Sequence, residues 1–212
     1  MAQPNPLPQP REHSVAAEDD DPDERVILYG ISWDQYLTIS DALPDHAGLR
    51  MTYLDGALEI MTTGRSHELR KTVLARLVEA YADFMEIDMN GFGNATYRKK
   101  AKKRGLEPDE SYVFSDMEDD DPEVPELAIE IAWSRGGLPK LEVYRGLEVP
   151  EVWLYHREGH VSVHRLVGGR YEERKRSGFL PGLDLELLVR FVDVKNQRKA
   201  VKAFREAIAK KP

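Results

Sequence analysis

Leu127-Ala128-Ile129-Glu130-Ile131-Ala132 reads as a buried strand with a single carboxylate planted inside it, and upstream Pro108-Asp109 opens a second strand, Ser111 to Phe114. An ionised carboxylate does not enter an apolar interior alone, because the hydration it loses has to be offset by a partner. A divalent cation shared by two such groups is one solution. Pro-Asp by itself says little, since the dipeptide also occurs at Pro22-Asp23 and Pro44-Asp45, but only the third copy has a strand context. Neighbouring strands would bring Asp109 and Glu130 together, and paired oxygen ligands suit a hard cation such as Mg²⁺ or Mn²⁺. The competing reading makes Asp109 a turn residue and pairs Glu130 with an arginine.

Outward from this pair the chain alternates irregularly between strands and helices. Residues 1–25, with Pro4, Pro6, Pro8 and Pro10 followed by an acidic run, have almost nothing to bury and read as a disordered tail. A domain spans 26–194, and 195–212 forms a C-terminal helix, with its helical stretch from Lys195 to Lys210. Within the domain a strand and short helix lead to strands Leu49–Leu54 and Ala57–Met61, joined at Asp55-Gly56, a strong tight-hairpin signal. Ser66 can cap a long helix whose apolar positions Leu69, Val73, Leu77, Tyr81 and Phe84 recur at helical spacing. A strand around Asn94 to Arg98 precedes the pair, and an acidic loop, 115–123, separates its two members. After Glu130, Gly136-Gly137 breaks the strand, Pro139 opens a short helix closed near Gly146, and strand-like runs Glu151–His156, His160–Leu166 and Arg170–Lys175 follow. The class is mixed α/β. No Walker glycine loop and no G-x-G-x-x-G follows a strand, which argues against nucleotide hydrolysis.

The chain has 212 residues, 41% hydrophobic, enough to bury one sizeable core. With no cysteine there is no disulfide, thiolate zinc site or cysteine nucleophile, as suits a reducing cytoplasm. No apolar stretch approaches the roughly 20 residues of a membrane helix, so no membrane partner is expected. The net charge of −8 looks unfavourable for nucleic acid, but residues 1–25 carry −5 and residues 115–123 carry −6, leaving +3 elsewhere. Inside that remainder Arg98, Lys99, Lys100, Lys102, Lys103 and Arg104 form a basic cluster just before Asp109. It reads either as a solvated surface or as a phosphate contact beside the metal site.

A metal-dependent nuclease of this design also needs a lysine, ordinarily two positions beyond the second carboxylate, where this chain has Ala132. Acid-x-Lys occurs at Glu173-Arg174-Lys175 and Asp193-Val194-Lys195, but neither follows Asp109 sensibly. Lys140 is the better candidate, because the first turn of the next helix lets its four-carbon stem return the ammonium to the strand end. His67 and Glu68, at the start of the long helix, could aim at the same place as accessory groups, Glu68 also favouring the positive helix end; the alternative for His67 is a cap or surface position.

The runs Leu49–Met61 (LRMTYLDGALEIM), Ser66-His67-Glu68, Arg104–Glu110 (RGLEPDE), Glu126–Glu130 (ELAIE), Lys140–Tyr144 (KLEVY) and Val149–Trp153 (VPEVW) resemble, in order, the Uma family of restriction-endonuclease-like proteins in the PD-(D/E)XK superfamily. The resemblance, over roughly Val26 to Phe191, implies a restriction-endonuclease-like core: a central mixed β-sheet flanked by helices, here with an N-terminal hairpin and a C-terminal hairpin and helix. It implies a metal-dependent phosphodiesterase site with carboxylates Asp109 and Glu130, a catalytic Lys140 moved from strand to helix, and an accessory acid at Glu59. Many members carry an acid at the position of Thr52, which Glu59 would replace.

The leading expectation is a Mg²⁺- or Mn²⁺-dependent endonuclease cutting DNA, cytoplasmic and homodimeric. The second is a non-catalytic nucleic-acid or protein interaction module that keeps the fold, which need not retain the acid-acid-lysine set. A two-carboxylate glycosidase is a weaker third, since that chemistry needs no lysine.

Overall fold

A computed structural model describes residues 23–43, 48–114, 123–133, 136–193 and 195–210. The chain opens with β1 (Glu24–Tyr29) and α1 (Trp33–Ala42), the latter started by a capping box in which Ser32 and Gln35 satisfy each other's backbone N–H groups. The hairpin β2 (Leu49–Leu54) and β3 (Ala57–Thr62) turns at Asp55 and Gly56, both at positive φ (50° and 92°), as the expected tight turn requires. Helix α2 (Arg65–Met85) follows. Its N-cap is Gly64 and not Ser66, which lies one residue inside the helix. Then come β4 (Asn90–Gly91), β5 (Tyr97–Lys99), a single 3₁₀ turn at Lys100–Lys102, β6 (Arg104–Leu106), β7 (Glu110–Val113) and β8 (Leu127–Ala132). Helix α3 (Lys140–Leu147), the meander β9 (Glu151–His156), β10 (His160–Val167) and β11 (Arg170–Arg174), and helices α4 (Leu185–Val189) and α5 (Gln197–Ile208) complete the described chain.

The strands form two sheets. One is antiparallel, ordered β1-β3-β2-β6-β5, and the other is mixed, ordered β11-β10-β9-β8-β7-β4. Among the described pairs only β8 and β9 run parallel, and α3 makes the crossover that such a pair requires. The expected mixed sheet flanked by helices is therefore present, with the N-terminal hairpin enlarged into a sheet of its own.

Side-chain alternation along β8 divides the interior and fixes where Glu130 points. Leu127, Ile129 and Ile131 enter a core with Leu74 and Leu77 of α2, Leu188 of α4 and Phe204 of α5. Ala128, on the opposite face, packs with Val143, Tyr144 and Leu147 of α3, Leu106 and Val152. Glu130, in phase with Ala128, is thus turned toward α3. A third cluster seats α1 on the hairpin through Tyr36, Met51, Tyr53 and Leu58.

Several boundaries differ from the sequence reading. Asp23 is buried and Glu24 opens β1, so these residues and Arg25, assigned above to the tail, belong to the fold. Residues 1–22 and 115–122 lie outside the described residues. Helix α4, capped by Asp184, was not expected; five residues give too short a period to read. Helix α5 starts after Asn196, whose side chain accepts the Lys199 N–H, two residues later than Lys195. No helix among the described residues is long and apolar enough to cross a membrane.

Candidate functional site

Strands β7 and β8 are antiparallel, with Tyr112 opposite Leu127, Ser111 opposite Ala128 and Glu110 opposite Ile129. One further step of that register sets Asp109 across from Glu130, on the same sheet face. The side chain confirms the approach: Asp109 Oδ2 accepts the Ile131 N–H at 2.8 Å. Both carboxylates are almost fully buried, Asp109 at 1% and Glu130 at 3% exposure.

Lys140, the first residue of α3, places Nζ 2.5 Å from Glu130 Oε2. One helical turn on, the buried Tyr144 hydroxyl donates to Glu130 Oε1 at 2.5 Å. The i, i+4 spacing puts lysine and tyrosine on one face, and together they hold both oxygens of Glu130. Tyr144 was not singled out from sequence, although its spacing from Lys140 was a usable signal. Lys140 is therefore beside Glu130, and the arginine-paired alternative for Glu130 is not what the structure shows.

Glu59 acts one step back. Its Oε2 accepts the Leu138 N–H at 2.8 Å and stands 3.7 Å from Arg25 Nη1, which also donates to the Gly136 carbonyl at 2.8 Å. Strands β1 and β3 thus grip the turn that leads into α3 and set where Lys140 begins. Gly137 makes this possible: it sits at φ 95°, and a Cβ there would lie 2.1 Å from Arg25 Nη1 and 2.5 Å from Glu59 Oε2. Arg25 also escaped the sequence reading, because the composition of the tail concealed it, whereas Gly137 is read there only as a break after the strand.

His67 is 1% exposed, so the surface reading does not hold. Its Nδ1 lies 3.1 Å from Asp23 Oδ2 and its Nε2 3.0 Å from Asp109 Oδ1. Asp23 uses its other oxygen to accept the Gly64 N–H at 2.9 Å, pinning the start of α2. Glu68, by contrast, turns to Thr63 at 2.7 Å, Lys71 at 2.8 Å and Arg50 at 3.7 Å.

These neighbours decide the protonation states. Burial works against a charged imidazole, but the Asp109 and Asp23 carboxylates outweigh it and raise His67 to about 9. Burial equally opposes ionised Asp109, yet His67, Lys140 and the Ile131 N–H hold it well below the usual carboxylate range. Glu130 is lifted by burial and by the charge of Asp109 despite Lys140 and Tyr144, while Lys140, resisted by burial, is raised by Glu130 and Asp109. At neutral pH an ionised Asp109 thus stands beside an imidazolium and an ammonium.

Three of the four carboxylate oxygens in the pair accept hydrogen bonds from the chain, whereas Asp109 Oδ1 is faced, among the described residues, only by the His67 imidazole, its Nε2 at 3.0 Å. Beyond that ion pair the buried oxygen has no other partner among these residues, which leaves it a lone pair for a cation. No three His, Asp or Glu side chains among the described residues surround a common point. Mg²⁺ does not require that, since it is commonly held by one or two carboxylates with water and phosphate oxygens completing its shell.

The basic cluster lies toward the far end of α3. Lys99 pairs with Glu148, which caps the C-terminus of that helix, Arg104 stands 3.4 Å from Asp55, and Arg98 donates to Ser40 at 2.5 Å. Lys100, Lys102 and Lys103 are on the exposed 3₁₀ turn and the residue that closes it. Eight residues of helix, about 12 Å at 1.5 Å each, separate this end from Lys140.

Comparison with known proteins places the architecture. The chain superposes on a crystal structure described as a "putative nuclease" from Anabaena variabilis with a TM-score of 0.52 and 15% identity, covering 82% of this chain and 99% of that one, a likeness of fold. Among curated proteins none matches. The family described as "Uma2: Putative restriction endonuclease" matches residues 33–194, a span that contains Asp109, Glu130, Lys140 and Tyr144. The chain belongs to the Uma2 family.

Proposed function

We propose that this chain is an endonuclease that hydrolyses DNA phosphodiester bonds, with Asp109 and Glu130 holding Mg²⁺ or Mn²⁺. The observation that carries the proposal is the buried, facing carboxylate pair with the Lys140 ammonium 2.5 Å from one of its oxygens. When bound, such a cation lowers the pKa of a coordinated water and offsets charge on the scissile phosphate. Lys140 is held protonated and supplies a fixed positive charge where negative charge develops, a contribution typically on the order of 10²-fold or more in rate. Tyr144 fixes the orientation of Glu130. His67, braced by Asp23, does the same for Asp109. Glu59 is assigned a positioning role through Leu138 rather than a place in the metal shell.

Lys100, Lys102 and Lys103 are proposed to contact the DNA backbone away from the cut site. The homodimer finds support in β1, the outermost strand of the antiparallel sheet, which exposes Val26, Leu28 and Tyr29. The absence of cysteine suits a cytoplasmic enzyme.

The engagement of three carboxylate oxygens by the chain's own donors favours a second reading, a nucleic-acid-binding module in which the acids are structural. Incubation of the full chain with supercoiled, linear and single-stranded DNA, titrated with Mg²⁺ or Mn²⁺, separates the two. Metal-dependent cleavage abolished by Asp109→Ala, with the fold retained, is the expected result. Binding without cleavage at any metal concentration would establish the module.

A further inference from the structure

Three of the six histidines lie on one hairpin outside the carboxylate centre. In the β9–β10 pairing His156 faces His160, Leu154 faces Ser162 and Val152 faces His164, so all of these project from one face. His156 Nε2 is 2.7 Å from Ser162 Oγ, and the same oxygen is 3.0 Å from His164 Nε2. Two imidazoles therefore aim the same ring nitrogen at one point, and a single hydroxyl proton can satisfy only one of them as donor. Glu173 of β11 is the direct cross-strand partner of His164, and its charge acts on both rings. His160 stacks on His156 with centroids 4.4 Å apart and planes 13° from parallel, which steadies that ring.

We infer that His156 and His164 form a two-imidazole binding site for a transition-metal ion of the Zn²⁺ class, its remaining positions left to water and with the Glu173 charge nearby, distinct from the Asp109–Glu130 centre. An ion seated where the Ser162 hydroxyl now stands would have both nitrogens within about 1 Å of the 2.0–2.1 Å bond that zinc forms with imidazole, once that hydroxyl rotates aside. Burial pushes both histidines below their ordinary 6.5, leaving neutral rings with lone pairs at pH 7. The nearby Glu173 and Glu158 carboxylates favour a cation over an anion. Nitrogen donors select Zn²⁺, Ni²⁺ or Cu²⁺ over Mg²⁺, which the all-oxygen pair would prefer.

The register also says what the ion would do. Glu130 pairs with Leu154, and Leu154 with Ser162, so the site lies on the same sheet face as Glu130 and two strands away, about 10 Å at 4.8 Å per strand. An ion there cross-links β9 and β10 and adds positive charge along the face that borders the carboxylates.

The test is Zn²⁺ titration of the full-length chain against a chromophoric chelator, in wild type and in Asp109→Asn, so that the carboxylate pair cannot account for uptake. One equivalent is expected in both, undisturbed by a large excess of Mg²⁺. His156→Ala/His164→Ala should weaken binding at least tenfold and Glu173→Gln several-fold, whereas Ser162→Ala should bind at least as tightly as wild type. Should the alanine pair fail to fold, imidazole proton resonances of the wild-type chain give the same answer: those of His156 and His164 should shift with Zn²⁺ while those of His67 stay in place. Absence of a Zn²⁺ equivalent, binding unchanged in the double variant, binding lost in Asp109→Asn, or shifts confined to other histidines would each overturn the site.

Discussion

Replacing His67 with Gln should change the pH dependence of stability more than stability at any single pH. A buried imidazole held between Asp23 and Asp109 at 3.1 and 3.0 Å is raised from 6.5 to about 9, a difference worth about 3 kcal/mol of preferential binding of the proton in the folded state. Because the folded value is the higher one, this contribution is complete below about pH 6.5 and is lost as the pH rises through 9. The same ion pair appears in the lowered Asp109, so it is counted once. Urea unfolding of wild type and His67→Gln at half-unit intervals from pH 6 to 10 measures it. The gap between the two proteins should shrink by about 3 kcal/mol across that range, and a gap that stays constant would show that His67 is not held protonated between the two acids.

Three further outcomes follow from the same contacts. Lys140→Ala should lower the single-turnover cleavage rate about 10²-fold or more without weakening Mn²⁺ binding, while Lys175→Ala and Lys195→Ala leave the rate near wild type. Tyr144→Phe removes a donor from a buried carboxylate and should destabilise the chain by about 1–3 kcal/mol in urea unfolding. Gly137→Ala should destabilise more than Gly136→Ala and slow cleavage as well. Both glycines have positive φ, but only at 137 would the added Cβ collide with Arg25 and Glu59, whereas nothing stands within 4 Å at 136.

The parts of the fold legible in sequence are those whose signal is local. The Asp55-Gly56 turn, the period of α2 and the apolar run of β8 each combine a strong intrinsic preference with burial. Glu130 and Asp109 stood out for a related reason: a charge in an apolar strand has no inexpensive local explanation. What escaped depends on contacts between distant segments. Asp23 and Arg25 sit in a proline-rich, acidic context, and nothing nearby announces that one reaches His67, 44 positions away, and the other Gly136, 111 positions away. Tyr144 reads as an ordinary helix-core aromatic until Glu130 is placed opposite it. The Glu59 carboxylate serves the Leu138 N–H, a partner that becomes visible only once β3 and the β8–α3 turn are side by side. The basic run shows that neighbours in sequence can be apart in the fold. Adjacency in sequence to Asp109 does not bring Lys99 or Arg104 to it: Lys99 pairs with Glu148 at the C-terminal end of α3, and Arg104 with Asp55.

The most direct measurement is Mn²⁺ binding followed by the electron paramagnetic resonance of the free ion, in wild type, Asp109→Asn and Lys140→Ala. If the facing carboxylates hold the catalytic cation, wild type and Lys140→Ala take up one equivalent and Asp109→Asn takes up none. Equal uptake by wild type and Asp109→Asn would contradict it.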